Sequence, residues 1–190
     1  MDAAAVAGLM RLTDRELWLV TACANGRRSG LIATFVSPAS IVPTLPRMVV
    51  GLARCHYTYD LVETSRAFAL HLLGEEHLDW VWRFALQSGR DVDKLQGLTL
   101  QTGTTGSPLL TDALGWLDCR VEGRLNTGDR SLFLGEVVEG HLARATPPLT
   151  LSRFRQIAPA EHLRRLQELE EQDSAADAAG IQAWRQLLAR

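Results

Sequence analysis

LWLVTACANGRRSGLIATFV, Leu17 to Val36, is the stretch on which the fold turns. Leu17 to Ala24 is apolar and rich in strand formers. Asn25-Gly26 follows, the preferred pair for a two-residue type I′ turn, because both central residues need positive φ. A second strand then runs from about Arg28 to Val36. An antiparallel hairpin therefore opens the folded part of the chain.

Working outward, Ser37 to Pro46 holds three prolines and reads as an extended loop, since proline lacks the amide hydrogen a central strand needs. Arg47 to Ala53 is a third strand, apolar without clean alternation and so buried on both faces. A short helix is expected over Tyr59–Thr64 and a fourth strand over Ala67–Leu73. Leu78, Val81, Trp82, Ala85 and Leu86 recur with helical spacing, and Gly89 closes that helix. Leu98 to Pro108 is a short strand with a Gly/Thr-rich loop. Two long strands, Leu114–Leu125 and Ser131–Leu142, flank the turn residues Asn126 to Asp129. Beyond Pro147-Pro148 the texture becomes charged. Glu161 to Gln172 is helical, DSAADAAG (173–180) reads as a linker, and Ile181, Trp184 and Leu188 mark a last amphipathic turn.

Long antiparallel hairpins at both ends, with little strand–crossover alternation, indicate a mainly β fold with peripheral helices, an antiparallel barrel. Two units are expected, a barrel domain over 1–155 and a C-terminal helical extension over 156–190.

Composition narrows the function. A net charge of −2 leaves no electrostatic footprint for nucleic acid or an anionic membrane. No apolar run approaches the ~18 residues of a membrane helix. Cys23, Cys55 and Cys119 are odd in number and widely spaced, which suits a reducing, cytoplasmic setting. No P-loop, Rossmann fingerprint or G-x-S-x-G elbow occurs. The five histidines show no metal spacing, so no metal is expected.

Three stretches carry what chemistry there is. Ser29 to Pro43 ends a strand in the small and hydroxyl residues Ala33, Thr34, Ser37, Ala39 and Ser40, which let a flat ligand approach the backbone. Arg54 to Asp60 joins a strand end to a helix start, where free amides, the helix dipole, Arg54 and Thr58 suit a phosphate. Asp129 and Arg130 stand at the tip of the long hairpin. Each stretch also has a plain structural reading: a strand running into a loop, a capped helix, a solvated turn.

Taken together they resemble the flavin-reductase-like family, the FMN-binding split barrels. Gly30-Leu31-Ile32-Ala33-Thr34-Phe35-Val36-Ser37-Pro38-Ala39-Ser40 is similar to that family's strand ending in small and hydroxyl residues. Pro43 and the Arg47–Ala53 strand follow in register, Cys55-His56-Tyr57-Thr58 stands at the phosphate loop, and LFLGEVVEG (132–140) resembles the family's late segment.

The resemblance implies a split-barrel homodimer with ring contacts around Ala33, Thr34, Phe35, Val36, Ser37 and Ser40. It implies phosphate contacts around Arg54, His56, Tyr57 and Thr58. It further implies FMN, or FAD, as cofactor and NAD(P)H as reductant, with hydride passed to the flavin and electrons onward to oxygen, an oxygenase or another acceptor protein. No side chain need act as a general base, so no catalytic residue is named. A non-catalytic FMN electron carrier of the flavoredoxin kind is the alternative, and a barrel without flavin a third. Arg130 stands where the family often has histidine, and is assigned to the cofactor site as a fixed positive charge. Trp82, Arg83 and Phe84 are candidates for the pocket wall.

Overall fold

The computed structural model describes residues 1–189. A short helix, α1 (Ala3–Leu12), is N-capped by the Asp2 carboxylate, which accepts hydrogen bonds from Ala4 N and Ala5 N at 3.0 Å each. The hairpin β1 (Trp18–Ala24) and β2 (Arg27–Ala33) follows, turning on Asn25 (φ 52°) and Gly26 (φ 73°) as a type I′ turn requires. After it come β3 (Val36–Pro38), β4 (Arg47–Ala53), α2 (Tyr57–Ser65), β5 (Ala67–Leu72), α3 (Leu78–Ala85) and a small hairpin of β6 (Leu100–Thr102) with β7 (Pro108–Leu110). The long hairpin of β8 (Gly115–Asn126) and β9 (Arg130–Leu142) comes next, then α4 (Leu151–Ile157) and α5 (Ala160–Leu188).

Seven strands form one antiparallel sheet in the order β2-β1-β5-β8-β9-β4-β3. Its two edge strands, β2 and β3, are consecutive in sequence and joined only by Thr34 and Phe35. Three peptide steps span at most about 11 Å. The sheet must therefore curl until its edges nearly meet, and those edges are not paired to each other. The result is a barrel split along β2 and β3, with a gap at Thr34–Phe35.

β1 and Leu17 just before it show why this stretch is largely apolar. Leu17 and Leu19 belong to an outer cluster with Val81, Phe84 and Phe154, whereas Val20 and Ala22 belong to the barrel interior with Phe68, Leu70 and Phe133. Both faces are covered, by α2 inside and by α3 and α4 outside. Full burial of a Leu or Phe side chain is worth about 1.5–3 kcal/mol, so this double burial anchors the hairpin.

Several boundaries depart from the sequence reading. The second strand stops at Ala33 and a new strand starts at Val36 with a new partner, β4, so Ser37 and Pro38 belong to an edge strand rather than to the loop. Pro38 is tolerated there because an edge needs fewer amide donors. Helix α2 starts at Tyr57, two residues early, and its N-cap residue His56 makes no side-chain cap bond. The expected linker at 173–180 is helical throughout. Its four alanines are strong helix formers, and together they outweigh Gly180, which costs about 1 kcal/mol in a helix interior. The 155/156 boundary expected between the two units falls inside α4.

Candidate functional site

The split opens into a cleft of about 640 Å³. Its floor is built by register. Gly51 N donates to Phe35 O at 2.8 Å, Ala53 of β4 pairs with Arg130 of β9, and Arg54 N donates to Asp129 O at 3.1 Å. These backbone bonds bring the end of β2, the end of β4 and the tip of the long hairpin to one place. Gly51 permits the close approach: a Cβ there would lie 3.1 Å from Phe35 Cβ.

Ala33, Thr34, Phe35, His56 and Arg130 line this cleft. Asp129 lines it as well, and the other residues assigned to the cofactor from the sequence lie away from it. Val36 and Ser37 pair with β4, and Ser40 Oγ accepts from Val42 N at 3.1 Å within its own loop. Thr58 is buried in the first turn of α2. Tyr57 lies under the Arg90 guanidinium, 5.6 Å from the ring centroid, and Arg54 is exposed. On α3 it is Val81 and Ala85 that reach the cleft, not Trp82, Arg83 or Phe84. Trp82 packs on Phe154 and His162, Phe84 is core, and Arg83 donates to Gln96 O.

Helix α5 closes one side of the cleft with Leu166, Glu170, Asp173, Asp177 and Ile181. Two contacts seat it on the hairpin tip. Gly180 meets Gly128, whose φ of +97° and tight surroundings both demand glycine: a Cβ on Gly128 would stand 2.4 Å from Gly180 O. Arg130 joins Asp129 (Nε to Oδ2, 2.5 Å) to Asp177 (Nη2 to Oδ2, 2.7 Å) and lies 4.6 Å over the Phe35 ring. The sequence offered no sign of α5 in this role, because its covering face mixes the apolar Leu166 and Ile181 with acidic and small residues and shows no continuous apolar stripe.

Charge shapes the cleft. Burial pushes Asp129 up, but bonds from Arg130 and Thr127 and the guanidinium charge outweigh it and hold the carboxyl below its ordinary value. His56 is lowered chiefly by loss of water, against the pull of Asp173 and Asp177. Cys55 is raised, first by burial and then by those same carboxylates. Cys55, His56 and Asp173 place ligand-type atoms within 4.8 Å of one another. All three still reach solvent at the cleft edge, and clusters of this kind are common without an ion.

Sequence and structure comparisons identify the family. A flavin reductase like domain model matches residues 10–158, and the chain belongs to that family. It is 29% identical over 140 residues to a ferric-chelate reductase (NAD(P)H) of Archaeoglobus fulgidus, covering 73% of this chain and 82% of that one. It is 30% identical over 130 residues to diflavin flavoprotein A 1 of a Synechocystis strain, covering 68% of this chain but only 22% of that relative's length. A flavin reductase domain protein from Arthrobacter sp. FB24 superposes with a TM-score of 0.68 at 25% identity, over 77% of this chain and 89% of that one. The fold is thus the antiparallel split barrel of the flavin-reductase-like proteins, with added helices. Among the described residues no helix is long and apolar enough to cross a membrane.

Proposed function

We propose that this chain is an FMN-binding flavoprotein and an NAD(P)H-dependent flavin reductase. One observation carries the reading: Ala33, Thr34, Phe35, His56 and Arg130, distant in sequence, line one cleft at the barrel's split. The cleft's size lies within the ~300–1,000 Å³ usual for small-ligand sites. Ala33 lines the cleft with a small side chain beside Thr34 and the half-exposed Phe35 ring, a surface against which a flat isoalloxazine would fit. Bound flavin, FMN or FAD, supplies the hydride-accepting and electron-passing chemistry.

The chain's own residues bind and orient. Arg130, fixed between the Asp129 and Asp177 carboxylates, holds its guanidinium N–H groups beside the ring pocket, where they favour an anionic reduced ring by donating to it. Its loss by Arg130→Ala is expected to lower the bound flavin's reduction potential, and an unchanged potential would count against that role. Phe35 stands at the mouth as a stacking surface. Helix α5 keeps water from one side. A homodimer, and an oxygenase or other acceptor protein to take the electrons, belong to the same proposal. So does a cytoplasmic location.

The test is direct. Purified protein should bind FMN with flavin absorbance, and anaerobic NADH or NADPH should bleach it within turnover time. Bound flavin that neither nucleotide reduces would make the protein an electron carrier. Absence of flavin binding would end the proposal.

A further inference from the structure

Arg15 lines the same cleft from just before β1. Its condition differs from that of Arg130. Arg130 has two carboxylate partners. Among the described residues the Arg15 side chain has no ion pair, and its Nε is buried without a hydrogen-bond partner. Leaving a buried donor unpaired costs about 1–3 kcal/mol, and more when the group is charged. The backbone around it is fully used: Leu151 N donates to Arg15 O at 2.8 Å, and Arg15 N donates to Asp14 Oδ1 at 3.1 Å. The residue is therefore held by its main chain while its fork of donors stays open. The guanidinium lies 5.2 Å over the Phe35 ring, the ring that also carries Arg130. Arg155 of α4, which likewise has no ion pair among the described residues, lines the cleft too.

We infer that Arg15, with Arg155 beside the same cleft, is the subsite for a phosphoryl group of the nucleotide bound there. A guanidinium presents its N–H groups in a planar fork that matches phosphate oxygens, and such charge-assisted bonds are roughly twice as strong as neutral ones. The acidic face of α5, with Glu170, Asp173 and Asp177, repels an anion from the other side and so directs it toward α4 and β1. Of the residues first assigned to phosphate, His56 lines the cleft, whereas Arg54, Tyr57 and Thr58 do not, so Arg15 and Arg155 are the cleft's guanidiniums without a carboxylate partner among the described residues. The phosphoryl group has two sources, the flavin's own phosphate and the phosphates of the nicotinamide nucleotide.

This inference rests on the cleft of the proposed function, and its test is built to separate the two. Wild type, Arg15→Gln and Arg15→Lys are compared without turnover. FMN and riboflavin binding are followed by flavin fluorescence, NADH binding to flavin-free protein by nicotinamide fluorescence, and inorganic pyrophosphate by thermal shift.

If the flavin phosphate is the ligand, Arg15→Gln weakens FMN at least about tenfold and leaves riboflavin unchanged. If the nicotinamide nucleotide is the ligand, NADH weakens by a similar factor and FMN does not. Arg15→Lys restores part of the loss in either case, since it keeps charge without the fork. Failure of wild type to bind any flavin would end the flavin reading, while an Arg15-dependent shift with pyrophosphate would still uphold the subsite. The inference is overturned if Arg15→Gln leaves FMN, NADH and pyrophosphate all unchanged, or weakens riboflavin as much as FMN.

Discussion

The barrel presents Ala33, Gly51 and Arg130 through continuous backbone ladders, whereas α5 reaches the same cleft through a glycine contact, an ion pair and partly buried apolar side chains. β4 and β9 pair over seven registered positions, from Arg47↔Glu136 to Ala53↔Arg130. Helix α5 has no buried residue along its length. Cooperative elements of this unequal kind open independently, the weaker with a smaller free energy. The cleft thus has one wall fixed by the global fold and another set by local contacts.

The largest expected effect breaks the first wall. Phe133 of β9 is fully buried and packs at 5.7 Å against the Tyr59 ring. Phe133→Ala is expected to cost about 3–5 kcal/mol, read as a lower urea midpoint, with loss of the cleft as the barrel loosens. A cost under about 1 kcal/mol would mean that the interior does not hold the ladder together.

Next in size is a pH effect confined to the barrel. His71 is fully buried; its Nδ1–H donates to Leu19 O at 3.0 Å and its Nε2 accepts from Leu110 N at 3.0 Å. Burial holds its pKa down to about 4, from 6.5. Between those values the unfolded chain takes up a proton that the folded chain refuses. Stability therefore falls as pH drops from about 6.5 toward 4, by about 3 kcal/mol in full. Urea unfolding of wild type against His71→Gln across that range isolates this share, and parallel curves would show that His71 is not its source.

A third test sharpens the comparison at Gly180. Helix propensity alone predicts that Gly180→Ala strengthens α5 by about 1 kcal/mol. Packing predicts the reverse, because the added Cβ lies 3.0 Å from Gly128 O and 3.3 Å from Asp129 N. We expect packing to win: amide exchange across α5 should accelerate about tenfold, with β-strand amides unchanged. Slower exchange in α5 would show that the glycine contact does not seat the helix.

What could be read from the sequence divides along the same line. The Asn25-Gly26 turn, β4 and the long hairpin are written in local chemistry, and they emerge at or within a residue or two of their places. The break at Thr34–Phe35 is not local. It follows from a change of strand partner that only the closed sheet imposes. On α3 the wall was sought one residue away from Val81 and Ala85, and each residue turns a helix face by about 100°. The Asp, Ser and Gly of 173–180 read as linker residues, although the alanines between them favour helix and α5 runs through them unbroken. Arg15 left no trace, because its meaning comes from α4 and Phe35, both remote in the chain.

The smallest effect concerns the one charge that ties the two walls. Asp177→Asn removes a partner of Arg130, but Asp129 remains, so the guanidinium stays in place over Phe35. The Arg130 and Asp177 side chains are each 22% exposed, so the pair is neither a free surface pair nor a fully desolvated one. A loss of about 0.5–1 kcal/mol is expected in the closure of α5, seen as faster amide exchange around residues 170–181. Salt discriminates the cause. Screening weakens the wild-type pair more than the neutral variant, so the difference should shrink between low salt and about 0.5 M. A difference that persists at high salt would assign the contact to hydrogen-bond geometry rather than charge. The helix would then answer to the shape of the hairpin tip, as Gly180 already implies, and not to the field of the cleft.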